Sequence, residues 1–150
     1  MAEFNVLSFN HSAFTVSDLD RVIPFYRDLL GFELTSRAPR DNRLIERMTA
    51  IDGVDIEIAY VNGPGHRIEL IQYKAPADRA VVVPRLCDAG AAHVALNVTG
   101  IEALVAASPA YGFTAVGEII TIDAGPNRGS RVVYLRGPDG ITVEYIEQGP

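Results

Sequence analysis

The sequence is poor in cysteine, in lysine and in long apolar runs, and each shortage narrows what the chain can be. Cys87 is the only cysteine among 150 residues, so an internal disulfide is excluded and a reducing cytoplasm is the expected compartment. No apolar run of about 18 residues occurs, and the N-terminus lacks a basic segment followed by an apolar one. We therefore expect a soluble chain without a targeting signal.

Positive charge is scarce as well. Lysine and arginine number 13 against 19 aspartates and glutamates, which gives a net charge of −6. Nucleic acids and anionic membranes bind proteins through basic faces, so neither partner is expected. Lys74 is the only lysine, so an arginine is the expected anchor of any anionic substrate group, although the sequence does not select which one.

The length and the 48% hydrophobic content suit one domain, and local patterns predict the order βαβββ in its first half. Alternating apolar residues predict a strand over residues 4–16. Capping residues and apolar spacings of three and four predict a helix from about residue 20 that ends at Gly31. Further segments are a strand at 32–35, a loop or excursion at 37–47, and strands at 54–60 and 67–73 joined as a hairpin.

The second half repeats this order. A proline-containing connector over about residues 74–91 separates module one, about residues 4–73, from module two, about residues 92–148. Thr99 and Glu102 have the spacing of a capping box at the start of the second helix. The strands of module two are predicted at 92–98, within 113–122, at 131–135 and at 141–146. The chain is therefore predicted to be an α+β protein built from two tandem βαβββ modules.

Two of the three histidines take the same place in the two modules. His11 and His93 each begin a pattern that ends in valine five residues later, and Glu69 and Glu144 each follow an apolar residue in the last strand. If each module curls its sheet into half of an open barrel, these four metal-ligating side chains point into one cup. The plainer alternative is core histidines and solvent-facing glutamates. The apolar neighbours of both glutamates argue against it, because an unpartnered buried carboxylate is costly.

Four other residues have simpler predictions. Alternation along the last strand puts Tyr145 on the face opposite Glu144, so it is expected to pack against the helix. His66 has no counterpart in the repeat and is not expected in the site. Arg128 and Arg131 flank a glycine in a segment that we hypothesise to be a mobile loop over the cup.

These features resemble the vicinal oxygen chelate superfamily, which includes glyoxalase I, methylmalonyl-CoA epimerase, ring-cleaving dioxygenases, fosfomycin-resistance enzymes and bleomycin-binding proteins. The resemblance rests on the βαβββ duplication, on residues 16–20 and 25–32, and on the Gly-Pro-Asp-Gly turn at 137–140. It runs from about residue 10 to about residue 147. It implies an open, cup-shaped, eight-stranded barrel-like sheet. It also implies one divalent ion per site (zinc, nickel, cobalt or manganese), with these ligands: His11, Glu69, His93 and Glu144.

A complete His-Glu-His-Glu set is most similar to that of glyoxalase I, with the epimerase next. The resemblance thus implies a metal-dependent lyase or isomerase that removes a proton next to a carbonyl, like lactoylglutathione lyase or methylmalonyl-CoA epimerase. Two glutamates cancel a divalent charge. A glutamate that leaves the metal becomes a general base, while the metal regains the charge to hold an enediolate or enolate. We expect Glu144 to be this base, with Glu69 as the alternative.

The substrate and the assembly stay more open. Glyoxalase I typically has an asparagine soon after its fourth-strand glutamate, where this chain has Leu-Ile-Gln-Tyr at residues 70–73. This difference disfavours glutathione and leaves a thioester or another small carbonyl compound. The alternatives to a lyase or isomerase are a metal-free binding or resistance protein of the same fold and an Fe(II)-dependent ring-cleaving dioxygenase. A homodimer is expected, with each cup either inside one chain or shared between two subunits.

Overall fold

The repeat in the sequence corresponds to two open sheets, one per module. The computed structural model describes residues 4–149. The strands of the first sheet are β1 (Ser12–Val16), β2 (Glu33–Pro39), β3 (Asp55–Gly63) and β4 (His66–Ala75). Their spatial order is β1-β4-β3-β2, in which β1 is parallel to β4 and the other neighbours are antiparallel.

The second sheet repeats the first. Its strands are β5 (Val94–Val98), β6 (Thr114–Ala115), β7 (Ile120–Thr121), β8 (Arg131–Arg136) and β9 (Thr142–Glu147). Strand β5 is parallel to β9, β9 is antiparallel to β8, and β6 and β7 both pair with β8. The predicted α+β class with two βαβββ modules is confirmed. Residues 4–149 contain nine strands rather than eight, because the edge strand of module two is divided into β6 and β7.

One helix precedes the second strand of each module. Helix α1 (Leu19–Pro24) continues as a π-helical turn over Phe25–Leu29, and Gly31, with a φ of +71°, ends it as predicted. The side chain of Asp18 caps α1 by accepting a hydrogen bond from the amide of Asp20. An additional helix, α2 (Asn42–Thr49), lies between β2 and β3, and module two contains α3 (Ile101–Ala107) with a 3-10 turn over Ser108–Tyr111.

The two modules share a core between their helices and one face of each sheet. Phe25 of module one stacks on Phe113 of module two with ring centroids 3.6 Å apart. Both rings are fully buried, and burial of each contributes about 1.5–3 kcal/mol. Tyr145 is also fully buried, and its hydroxyl lies 3.2 Å from Ser108 Oγ, which confirms that it packs on the helical side. The site is therefore carried by the opposite faces of the sheets.

The first strand is shorter than predicted. Strand β1 covers Ser12–Val16 only, and residues 4–11 form no strand. Four apolar side chains in this segment are between 80% and 95% exposed, namely Phe4, Val6, Leu7 and Phe9. Alternation alone suggested a strand here, but no strand among residues 4–149 lies beside this segment to pair with it.

The loop predicted at residues 37–47 is wrong. Strand β2 extends to Pro39, and α2 follows because Asp41 caps it, accepting from the amides of Arg43 and Leu44. Ala50 ends the helix in the left-handed conformation. Through Ile45, α2 packs on the first sheet, on the face that does not meet the shared core.

The predicted capping box is also wrong. Gly100 is the N-cap of α3, and Oε1 of Glu147 accepts hydrogen bonds from the amides of Gly100 and Ile101. Glu102 instead forms an ion pair with Arg131. Glu147, in the last strand, therefore caps α3 in place of the predicted Thr99 and Glu102.

The connector between the modules has no regular structure over residues 76–93. A hydrogen bond holds it to module two: Arg136 donates to the carbonyl oxygen of Pro84 over 2.6 Å. The two modules are also hydrogen-bonded directly, since the Asp139 carboxylate accepts from the amide and the hydroxyl of Ser17. Within residues 4–149, no helix has the length and apolarity that crossing a membrane would require.

Candidate metal centre

His11 and Glu69 form a close pair on the face of the first sheet that does not meet the shared core. His11 directly precedes β1, and the parallel register places Ala13, two residues later, beside Glu69 on β4. The resulting distance from His11 Nε2 to Glu69 Oε2 is 3.1 Å. The side chain of Glu69 is 10% exposed, while its chain neighbours Ile68 and Leu70 point to the helical side and are fully buried.

His93 and Glu144 repeat this geometry on the second sheet. His93 directly precedes β5, and Ala95, again two residues later, lies beside Glu144 on β9. The distance from His93 Nε2 to Glu144 Oε2 is 3.2 Å. The histidine spacing seen in the sequence therefore reflects an equivalent position in three dimensions.

The spacing within each pair fits two ligands of one metal ion. Neighbouring donor atoms on an octahedral ion, each about 2.1 Å from it, lie about 3 Å apart. One imidazole nitrogen and one carboxylate oxygen per pair also suit a borderline divalent ion. The donor set on each sheet is therefore that of half a metal site.

Each glutamate faces a tyrosine that the sequence analysis missed. Strand register places Tyr60 opposite Glu69 and Tyr134 opposite Glu144. The Tyr60 hydroxyl donates to Glu69 Oε1 over 2.5 Å. Each tyrosine ring also meets a histidine edge to face, with centroids 6.0 Å apart for His11 and 5.2 Å apart for His93. Each half-site is therefore a His-Glu-Tyr cluster.

The environment of the tyrosines favours their neutral, hydrogen-bond-donating form. The hydrogen bond to Glu69, together with burial and the charge of Glu69, raises the pKa of Tyr60 above its usual value of 10.0. Burial, followed by the charge of Glu144 and a hydrogen bond to it, raises the pKa of Tyr134. Both phenols thus keep their proton to a higher pH than a free tyrosine does, and the protonated phenol is the form that donates a hydrogen bond.

His11 is oriented by a neighbour that was also missed. Asn10 Oδ1 lies 2.7 Å from His11 Nδ1 and accepts its proton in the tautomer that leaves Nε2 free. This is the usual arrangement of a metal-binding histidine, whose second ring nitrogen is held by a hydrogen bond. No pattern in the sequence singled out Asn10, because the contact depends on how the chain turns into β1.

The chain alone does not bring the two pairs together. Among the residues that the structure describes, no three His, Cys, Asp or Glu side chains lie close enough to hold one metal ion. One pair belongs to each sheet, and no strand of one sheet is bonded to a strand of the other. The four predicted ligands are therefore found as two equivalent pairs.

Two other sequence expectations concern nearby residues. Arg131 does not cover the site, because it is bound to Glu102 and Glu147 beside α3. The sequence did not indicate this position, because Glu102 and Glu147 are distant from Arg131 along the chain. His66 lies outside both pairs, with Nε2 3.0 Å from Ser12 Oγ.

Comparisons with known proteins give a consistent result. A family model described as the glyoxalase/bleomycin resistance protein/dioxygenase superfamily matches residues 8–145. A 2-epi-5-epi-valiolone epimerase from an Actinomyces species is 33% identical over 91% of this chain and 77% of its own length. The lactoylglutathione lyase of Haemophilus influenzae is 30% identical over 91% of this chain and 90% of its own.

Solved structures agree with the sequence matches. A glyoxalase family protein from Bacillus cereus superposes with a TM-score of 0.85 at 27% identity, covering 100% of this chain and 99% of its own. The family resemblance expected from the sequence is thereby confirmed.

Proposed function

Because the chain belongs to the glyoxalase/bleomycin resistance protein/dioxygenase superfamily, we propose that it is a metal-dependent lyase or isomerase that removes a proton next to a carbonyl. The observation that carries this proposal is the pair of equivalent His-Glu contacts, at 3.1 and 3.2 Å, each backed by a tyrosine. The names of the relatives, an epimerase and a lyase, fall in the same reaction classes.

Four side chains would hold the metal: His11, Glu69, His93 and Glu144. Zinc, nickel, cobalt and manganese all accept this mixture of nitrogen and oxygen donors. When bound, such an ion draws electron density from a substrate carbonyl and so acidifies the neighbouring C–H bond. Asn10 would keep the Nε2 atom of His11 directed at the ion.

Two glutamates are available as the base, and the structure supports Glu144. Glu69 is held by Tyr60, and its side chain is 10% exposed. Glu144 is 14% exposed, and its hydrogen bond with Tyr134 is the smallest cause of the raised pKa of that tyrosine, whereas the hydrogen bond with Glu69 is the largest cause at Tyr60. A base must turn from its resting position toward the substrate C–H. Glu144 is therefore proposed to take the proton, and Glu69 to stay in place.

The separation of the two pairs supports a site shared by two subunits of a homodimer. Strands β1 and β5 are each bonded on one side only within the described chain, and the His-Glu pairs lie beside these free edges. A two-fold axis that brings β1 of one copy near β5 of the other joins complementary half-sites twice. Each dimer would then contain two equal sites, with His11 and Glu69 from one subunit and His93 and Glu144 from its partner.

The substrate is proposed to be a small carbonyl compound or thioester rather than a glutathione adduct. Gln72, within the segment that differs from glyoxalase I, accepts from the amide of Leu19 over 3.1 Å. Its side chain therefore caps α1 instead of facing the site. The exposed thiol of Cys87 suits a reducing compartment, so we place the reaction in the cytoplasm.

Elemental analysis tests the metal proposal directly. Protein purified without chelator is expected to contain a near-stoichiometric divalent metal, which His11→Ala and His93→Ala each remove and the exposed control Glu33→Gln retains. Metal content that is low and unaffected by both histidine changes would indicate a metal-free binding protein. Iron together with oxygen uptake would indicate a dioxygenase.

A further inference from the structure

An arginine that forms no ion pair with any described residue lies at the edge of the first half-site. Arg67 precedes Glu69 by two residues on β4, so both side chains project from the same face. Its Cζ atom lies 5.3 Å from the centroid of the Tyr60 ring, and its Nε donates to Asn62 Oδ1 over 3.3 Å. The guanidinium plane is thus held in place while its terminal nitrogens stay open to a ligand.

Several other arginines of the chain are used for the fold. Arg37 binds Asp20 and Glu57, and Arg131 binds two glutamates beside α3. Arg40, the other arginine near Tyr60, donates to backbone carbonyls. Arg67 is exposed and forms no ion pair with any residue that the structure describes.

The repeat shows that this feature is specific to module one. Tyr60 and Glu69 correspond to Tyr134 and Glu144, and the next pair in the same register is Asn62 with Arg67 in module one. In module two that pair is Arg136 with Thr142, in which Thr142 is buried and Arg136 donates to backbone carbonyls. The ligand cluster is repeated, but the free positive charge is not.

Arg67 lines a polar cleft of about 360 Å³. Other residues that line it include Phe9, Asn10, Asn62, Gly63 and His66. The amide of Asn62 and the guanidinium of Arg67 supply donors to this cleft. Asn10, which also lines it, is hydrogen-bonded to His11. The cleft therefore adjoins the proposed metal site through a shared residue.

We propose that Arg67 and Asn62 form a subsite for an anionic group, a carboxylate or a phosphate, that the substrate carries beyond its reacting carbonyl. This inference rests on the proposed function, because it takes the His11–Glu69 pair as part of the site where the substrate reacts. A planar guanidinium binds either anion through two parallel hydrogen bonds, whereas the polar neighbours supply orientation.

An NMR titration of the full-length protein as purified tests the subsite. Inorganic phosphate and acetate are added separately at constant ionic strength, and the Arg67 Nε–H and Asn62 amide signals are followed. Saturable shifts with one anion are expected, and the tighter anion identifies the substrate group. Affinity should fall about tenfold in Arg67→Gln, less in Arg67→Lys, and not at all in Arg43→Gln on α2.

Two results would overturn the subsite: no saturation with either anion, or equal affinity in the wild type and Arg67→Gln. Binding that depends only on a metal ion would give the second result, because Arg67→Gln retains the four ligands. The titration needs no turnover. A failure of the proposed reaction, seen as absent metal or absent proton exchange, is therefore distinguishable from a failure of the subsite.

Discussion

The hydroxyl of Tyr60 donates a hydrogen bond to Glu69 over 2.5 Å, from a neighbouring strand and in register. One oxygen of Glu69 is thereby held, and the other faces His11. Tyr134 stands opposite Glu144 in the same way. Its hydrogen bond with Glu144 is the smallest cause of its raised pKa, whereas the hydrogen bond with Glu69 is the largest cause for Tyr60. The two half-sites share a design and differ in how firmly the carboxylate is fixed.

Removing the Tyr60 hydroxyl is expected to weaken metal retention. In Tyr60→Phe, Glu69 loses its donor, and changes to such supporting residues typically cost about 10–100-fold in metal affinity. Tyr134→Phe should have a smaller effect, and Tyr111→Phe, next to α3, should have none. Competition with a chromogenic chelator measures all three. Equal losses in Tyr60→Phe and Tyr111→Phe would show that the hydrogen bond has no role.

The two glutamates should separate binding from catalysis. Glu144 is also a proposed metal ligand, so Glu144→Gln is compared with the wild type at equal metal content. We expect metal-loaded Glu144→Gln to exchange substrate α-protons in heavy water at least about 100-fold more slowly, because the base is lost. Glu69→Gln should mainly lower metal content, and Glu33→Gln should change neither. Mass spectrometry of candidate thioesters and hydroxyketones measures the exchange. Normal exchange in Glu144→Gln, with loss in a metal-loaded Glu69→Gln, would assign the base to Glu69.

A mixing experiment tests the shared site. His11→Ala and His93→Ala are each expected to lack both sites of their homodimer. A mixed dimer pairs the intact module one of the second variant with the intact module two of the first and so regains one site. Random exchange of subunits should restore about a quarter of wild-type metal content. If each site lies within one chain, the mixture binds no more metal than the separate variants.

Arg37 should make stability depend on pH in the acidic range. Its hydrogen bonds lower the pKa of Asp20 below the usual 3.8 and, together with Lys74, the pKa of Glu57 below 4.5. The unfolded chain therefore takes up protons first, so this stabilisation is complete above pH 4.5 and is lost as pH falls through the folded-state values.

Arg37→Gln should flatten that dependence by a small amount, since the groups lie near solvent. Urea unfolding of the wild type, Arg37→Gln and Arg43→Gln at about pH 7 and about pH 3 measures it. Parallel losses in all three proteins would exclude the ion pairs as the cause.

Sequence patterns were sufficient where the structure depends on local alternation and on the repeat. The strands around Glu69 and Glu144 alternate visibly, and the two histidines precede equivalent strands. Helix α2 was missed because it is short and mostly polar. Its start is fixed by the cap at Asp41, which the sequence analysis did not identify. The N-cap of α3 was misassigned because its acceptor, Glu147, is distant in sequence.

The tyrosines and the arrangement of the ligands depend on contacts that sequence spacing does not encode. Tyr60 and Tyr134 reach the glutamates through hairpin register, and bulges shift such register by a residue. The equivalence of the half-sites was visible in the sequence. Their separation within one chain was not, because it depends on which sheet edges meet.

If the proposed shared site exists, the division of the ligands into two pairs connects metal occupancy to protein concentration. If each subunit supplies half of every site, the metal binds the dimer far better than the monomer, so binding and association form one thermodynamic cycle. Dilution would then release metal, and metal would tighten the dimer by the same factor. Cellular abundance of the protein would accordingly set how much of it is loaded.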